Sequence, residues 1–178
     1  MLRFRNGILL TLALCTFVVL NSYPAASHAA AEGKDTVLKA AQITAKLFPE
    51  RVFYQGKTAP TELRNTGGIR FADGAYFLAG LVDNSGYSTA VKEKYQAYVL
   101  TEVPLQFEDQ EVKAGAYGAG FVSGYFVMTD IGAHDLLRVA AKHDMEMKRP
   151  LPLQVVAGSD GMFRLYHGRD YVEFRRGE

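Results

Sequence analysis

The residues best suited to catalysis or metal binding lie between Asp130 and Asp144. Two histidines each precede an aspartate there, in His134-Asp135 and His143-Asp144. Ligands of a shared zinc ion must converge to about 2.0–2.2 Å from it. The two histidines are nine residues apart, and nine residues of a helix rotate by about 900°. This is two full turns plus half a turn, so the two side chains would lie on opposite faces of a helix. An odd separation does the same on a strand. The sequence therefore predicts no metal site.

Two hypotheses make this chain an enzyme, and each assigns catalysis to different residues. Gly86-Tyr87-Ser88-Thr89-Ala90 is close to a nucleophile elbow, but that motif needs a strand running straight into the glycine. Asp83-Asn84-Ser85 forms a turn there instead, so we expect a loop. The remaining enzymatic hypothesis is a small hydrolase or lyase that uses His134 or His167 with a nearby carboxylate.

A third group of residues is rich in glycine and contains Gly115, Gly118, Gly120 and Gly124. The spacing fits neither a dinucleotide fingerprint nor a Walker loop, and no cofactor is expected. In a strand, Ala116, Gly118 and Gly120 share one face. Such a strip lets another backbone, a helix or a ligand approach closely, which leaves protein packing and a ligand groove as alternatives.

Tyrosine is frequent, with nine residues after Tyr23. Its ring and hydroxyl suit the rim of a binding cleft, although tyrosine is also a common strand residue. Together with the glycine strip, this composition gives a candidate ligand-binding set of Tyr117, Gly118, Gly120 and Tyr125.

The first 31 residues have the pattern of a secretory signal peptide. Arg3 and Arg5 precede an apolar run from Ile8 to Leu20, which is too short to span a membrane, and small residues follow. Cleavage after Ala29 or after Ala31 would satisfy the small-residue rule. We therefore expect a periplasmic or secreted protein.

Removal of the signal leaves residues 32–178 as a single globular domain. The only cysteine, Cys15, lies in the signal, so no disulfide is expected. The whole chain has 20 basic and 19 acidic residues, and loss of Arg3 and Arg5 leaves 18 against 19. This balance argues against a nucleic-acid partner. No later stretch has the length and apolarity of a membrane span.

The pattern of apolar residues predicts an α+β, β-rich domain with an antiparallel sheet, either a sandwich or a partly closed barrel. Three hairpins are indicated, with turns at Asp73-Gly74, at Ser123-Gly124 and over 167–170. An N-terminal helix is expected from Asp35 or Thr36 to Leu47, and a second helix over 133–147, from apolar residues three to four apart. A further helical turn over 89–94 is also indicated.

The segment from Glu111 to Phe121 contains Ala114-Gly115-Ala116-Tyr117. It resembles a hairpin of uncharacterised exported bacterial proteins in which an Ala-Gly-x-Tyr turn opens a strand. The resemblance covers about a dozen residues. It implies a β-rich envelope protein and transfers no catalytic residue.

These observations favour an exported, non-enzymatic module that binds a small ligand or a protein partner in the cell envelope or outside it. The hydrolase or lyase is the alternative, and a purely structural role is the third hypothesis. A deep pocket that contains a histidine and an acid would favour the enzyme.

Overall fold

The computed structural model describes residues 33–178, so the predicted signal peptide lies outside the described residues. These residues form fourteen strands, in chain order β1 Thr36–Lys39, β2 Arg51–Tyr54, β3 Lys57–Arg70, β4 Tyr76–Val82, β5 Ala97–Thr101, β6 Leu105–Phe107, β7 Gln110–Val112, β8 Gly115–Val122, β9 Tyr125–Thr129, β10 Asp135–Ala140, β11 Lys142–His143, β12 Gln154–Ala157, β13 Phe163–His167 and β14 Asp170–Arg176. A short helix, α1, covers Thr89–Lys94, and a 3₁₀ turn covers Ala40–Gln42.

The strands form two antiparallel sheets, which confirms the predicted β-rich fold class. The first sheet has the order β1-β3-β4-β5-β8-β9-β10, with β2 paired to β3. The second has the order β12-β13-β14-β6-β7, with β11 paired to β14. All three predicted hairpins form, and Gly74 and Gly124 take the positive φ of 92° and 79° that their turns require.

The main hydrophobic core lies between the sheets and contains aromatic residues from both. The rings of Phe77 and Phe174 have centroids 4.7 Å apart, and those of Phe107 and Phe126 are 5.7 Å apart. Two facing sheets whose inner side chains pack together in this way define a sandwich-like arrangement.

A second core covers the other face of the first sheet. Tyr54 from β2 stacks on Tyr95 at 3.8 Å between centroids, and its hydroxyl forms a 2.6 Å hydrogen bond with Thr129. The β2–β3 hairpin can reach this face because the pairing of β3 with β4 is irregular between Thr61 and Thr66. Much of the tyrosine content of the chain is therefore used in packing.

The predicted N-terminal helix is wrong, because β1 and the 3₁₀ turn occupy most of that segment. Val37 packs against the core between the sheets, whereas Leu38 belongs to the second core. A strand buried on both faces has consecutive apolar residues and loses the alternation that identifies a strand in sequence.

The predicted helix over 133–147 is also wrong, since β10 and β11 occupy that region. Leu137 and Val139 are buried with strand periodicity, and a register shift between Asp135 and Leu137 leaves Leu136 exposed. This irregularity places apolar residues at adjacent positions and imitates a helical stripe. The helical turn expected over 89–94 is confirmed as α1.

Within residues 33–178, the structure contains no helix with the length and apolarity needed to cross a membrane.

The glycine strip of β8 is covered by protein, as the close-packing alternative predicts. A Cβ atom on Gly118 would lie 2.5 Å from the ring of Tyr54. On Gly120 it would lie 2.8 Å from the carbonyl oxygens of Glu93 and Lys94, at the end of α1. Both positions therefore require glycine, because Tyr54 and the end of α1 lie too close for a side chain.

We expect Gly120→Ala to lower the free energy of unfolding by about 1–3 kcal/mol, because the added methyl meets backbone atoms that cannot move aside. Gly86→Ala is the matched control, since nothing lies within 4 Å of a Cβ there. The control should be neutral or up to about 1 kcal/mol more stable. Urea denaturation measures both, and equal stability of the two variants would contradict the packing of α1 against Gly120.

Candidate functional site

A groove of about 570 Å³ opens between the edges of the two sheets. It is lined by residues 37–41, 64–67 and 151–157, and we call it the edge groove. Its volume lies within the range of about 300–1,000 Å³ that is typical of small-molecule sites. The groove is therefore the candidate functional site.

The groove lies beside β1 and β12, each of which is an edge strand of its sheet. The backbone of β12 lies directly on β3 at Gly67, where a Cβ atom would be 2.7 Å from the amide nitrogen of Val155. Beyond this contact the 3₁₀ turn at Ala40–Gln42 leads the chain away from β1. β12 therefore lies close to both β3 and β1, and the groove lies along this junction.

The segment that leads into β12 is fixed by the turn between β13 and β14. The amide of Gly168 donates to the carbonyl oxygens of Leu151 and Pro152, at 3.1 and 3.3 Å. These bonds hold Leu151 over the groove, where it remains 52% exposed. An exposed leucine held in place by its backbone provides apolar surface for a ligand.

The opposite side of the sandwich has a direct contact between its edge strands. There the side-chain amide of Gln110 on β7 donates to the carbonyl oxygen of Arg138 on β10, at 3.3 Å. Edge strands therefore contact each other on both sides of the sandwich, and the edge groove lies on the side of β1 and β12.

The lining of the edge groove is mainly apolar. Ten of its sixteen residues are Ala, Val, Leu or Pro. Lys39 and Arg64 are the charged residues, both exposed, and the described lining contains no acid. The groove can therefore bury an apolar molecule and present positive charge to it.

His134 lies in the turn that follows β9 and forms a 2.8 Å pair with Asp130. The other carboxylate oxygen of Asp130 accepts the backbone amides of Gly132 and His134, and these bonds lower the pKa of Asp130. The side chain of His134 is 80% exposed. This arrangement stabilises a turn and encloses no substrate.

His143 lies on β11 and pairs with Asp170 at 2.6 Å rather than with Asp144. Asp144 instead accepts the hydroxyl of Tyr166 at 3.0 Å. Within the described part of the chain, no three His, Cys, Asp or Glu side chains are grouped so that they could hold a metal ion.

His167 stacks on Phe121, with centroids 6.1 Å apart, and lines an apolar crevice of about 10 Å³. Burial lowers its pKa, and Asp170 partly opposes the shift. The described lining of the crevice contains no carboxylate, and a space of this size holds about one water molecule. A half-buried histidine in so small a space has no room for a substrate.

The predicted ligand-binding residues do not converge on one cavity. Tyr117 faces the core between the sheets, and its hydroxyl donates to the carbonyl oxygen of Lys113 at 2.8 Å. Gly118 and Gly120 are covered by Tyr54 and α1. Tyr125 is 41% exposed and lies under the guanidinium of Arg138. A binding role for these residues stays a prediction.

The edge groove is not among the sites that the sequence predicts. Its strongest local signal is the segment Gln154–Ala157, an uncharged strand directly preceded by Leu151-Pro152-Leu153. Edge strands are usually protected by charge, proline or a bulge. An uncharged edge could have been recognised only if the strand order had been known.

The chain matches no family model, and comparisons with curated proteins and with solved structures gave no match.

The lowered pKa of His167 predicts how stability depends on pH. The unfolded chain takes up the proton near pH 6.5, before the folded protein does, so stability falls as pH decreases through this value. We expect His167→Phe, which preserves stacking on Phe121, to reduce the loss of unfolding free energy between about pH 7 and pH 5. An unchanged slope in His167→Phe would contradict the burial of this imidazole.

Proposed function

We propose that this protein is a non-enzymatic binding module that holds an elongated, mainly apolar small ligand in the edge groove. The observation that carries the proposal is a 570 Å³ groove whose lining is mostly aliphatic and in which the backbones of β3 and β12 meet at Gly67. Burial of apolar ligand surface supplies about 25 cal/mol per Å² before the costs of association.

The distribution of polar groups supports a binding role over the hydrolase or lyase. General base catalysis needs a base within hydrogen-bond reach of a bound substrate. The described lining of the edge groove contains neither a histidine nor a carboxylate. The Asp130–His134 pair stabilises its own turn, and His167 has only a small crevice beside it.

We also propose that the module works outside the cytoplasm, in the periplasm or as a secreted protein. The support is the order of basic, apolar and small residues before Glu32. The hairpin at Glu111 to Phe121 that resembles exported bacterial proteins is consistent with this location.

Blocking the groove tests the binding function. Ala41 lines the groove and is exposed, so Ala41→Trp should fold and occupy the ligand space. We expect the wild-type protein to bind the neutral apolar dye Nile red saturably, and Ala41→Trp to weaken this binding at least about tenfold. Fluorescence titration measures both affinities.

Ala114→Trp is the matched control, because Ala114 is also exposed but lies between β7 and β8, outside the groove. It should retain wild-type affinity for the dye. Absence of saturable binding to the wild type, or equal affinities of Ala41→Trp and Ala114→Trp, would contradict the proposed site.

Export is tested by intact-mass and N-terminal analysis of the protein from its native host. We expect the mature chain to begin at Ala30 or Glu32, because either site has small residues at the required positions. A chain that keeps Met1 would contradict the export proposal while leaving the binding function intact.

A further inference from the structure

We propose that the ligand is an anionic amphiphile, an aliphatic chain ending in a carboxylate that lies between Lys39 and Arg64. This inference rests on the binding function proposed above and assigns the chemical class of the ligand. It follows from the combination of an aliphatic lining and two cations in one groove.

The two cations come from different strands and meet at the same cavity. Lys39 is the last residue of β1, where its backbone amide donates to the side-chain oxygen of Gln42 at 2.9 Å. Arg64 lies in the irregular part of β3, between Thr61 and Thr66. The groove thus has positive charge on two of its walls.

Neither cation is neutralised by an ion pair within residues 33–178. The nearest acid in sequence to Arg64 is Glu62, and it accepts a 2.6 Å hydrogen bond from the side-chain amide of Asn65. Lys113 and Arg70 also form no ion pair within these residues, but they lie outside the lining of the edge groove. Lys39 and Arg64 therefore keep their charge available to a ligand.

The rest of the lining determines what kind of anion fits. The exposed aliphatic surface of the groove comes from Leu151, Pro152 and Ala157, beneath which other lining residues are buried in the cores. A small inorganic anion would leave these aliphatic surfaces uncovered. A molecule with an aliphatic chain covers them, because burial of methylene groups is favourable, and its terminal carboxylate is attracted to both cations.

Displacement of Nile red by two molecules of equal chain length tests this class. We expect decanoate to displace the dye at a concentration about three- to tenfold lower than decanol, because only the carboxylate is attracted to the cations. The preference should diminish as sodium chloride is raised, since exposed charges are screened. Both compounds are used below the concentration at which they aggregate.

The variant Lys39→Gln/Arg64→Gln should bind decanol as the wild type does and lose the preference for decanoate. Lys113→Gln/Arg70→Gln removes two exposed cations outside the groove lining and should keep the preference. Equal displacement by decanoate and decanol in the wild type, or a preference that persists without Lys39 and Arg64, would overturn the anionic class but not the groove. Failure of both compounds to displace the dye would overturn the binding function as well.

Discussion

The direct contact between β3 and β12 at Gly67 is the constraint on which the candidate site depends. A side chain at this position would lie 2.7 Å from the amide nitrogen of Val155, so only glycine allows the two backbones to meet. Sheets that pack through side chains are normally about 10 Å apart. The contact brings β12 close to β3 and to β1, and the edge groove lies along this junction.

The first sheet is also unusual in having a hydrophobic core on each face. The second sheet covers one face, and the β2–β3 hairpin with α1 covers the other, where Tyr54 and Tyr95 stack at 3.8 Å. The hydroxyl of Tyr95 is buried, has no hydrogen-bond partner among the described residues, and burial raises its pKa. These tyrosines were candidates for the rim of a binding cleft, but they serve as packing groups. They stabilise the first sheet, whose strands β1 and β3 line the edge groove.

These features explain which parts of the structure could be predicted from sequence. The hairpins at Asp73-Gly74 and Ser123-Gly124 depend on local turn chemistry, which the sequence displays directly. The prediction of a helix after Asp35 is wrong because the adjacent residues Val37 and Leu38 of β1 pack into two different cores, and these cores are formed by residues distant in sequence. The edge groove combines segments up to 120 residues apart, from Val37 to Ala157, and its position depends on strand order. No local pattern around Lys39, Arg64 or Leu151 reveals that they meet.

The central claim is that ligands bind in the edge groove, and chemical-shift mapping tests this location directly. Amide resonances of the ¹⁵N-labelled protein would be followed while decanoate is added. We predict saturable shifts concentrated in residues 37–41, 64–67 and 151–157, with little change at Gly118, Gly120 and Tyr125. Shifts concentrated at those three residues, or no saturable shift in the edge groove, would contradict the account.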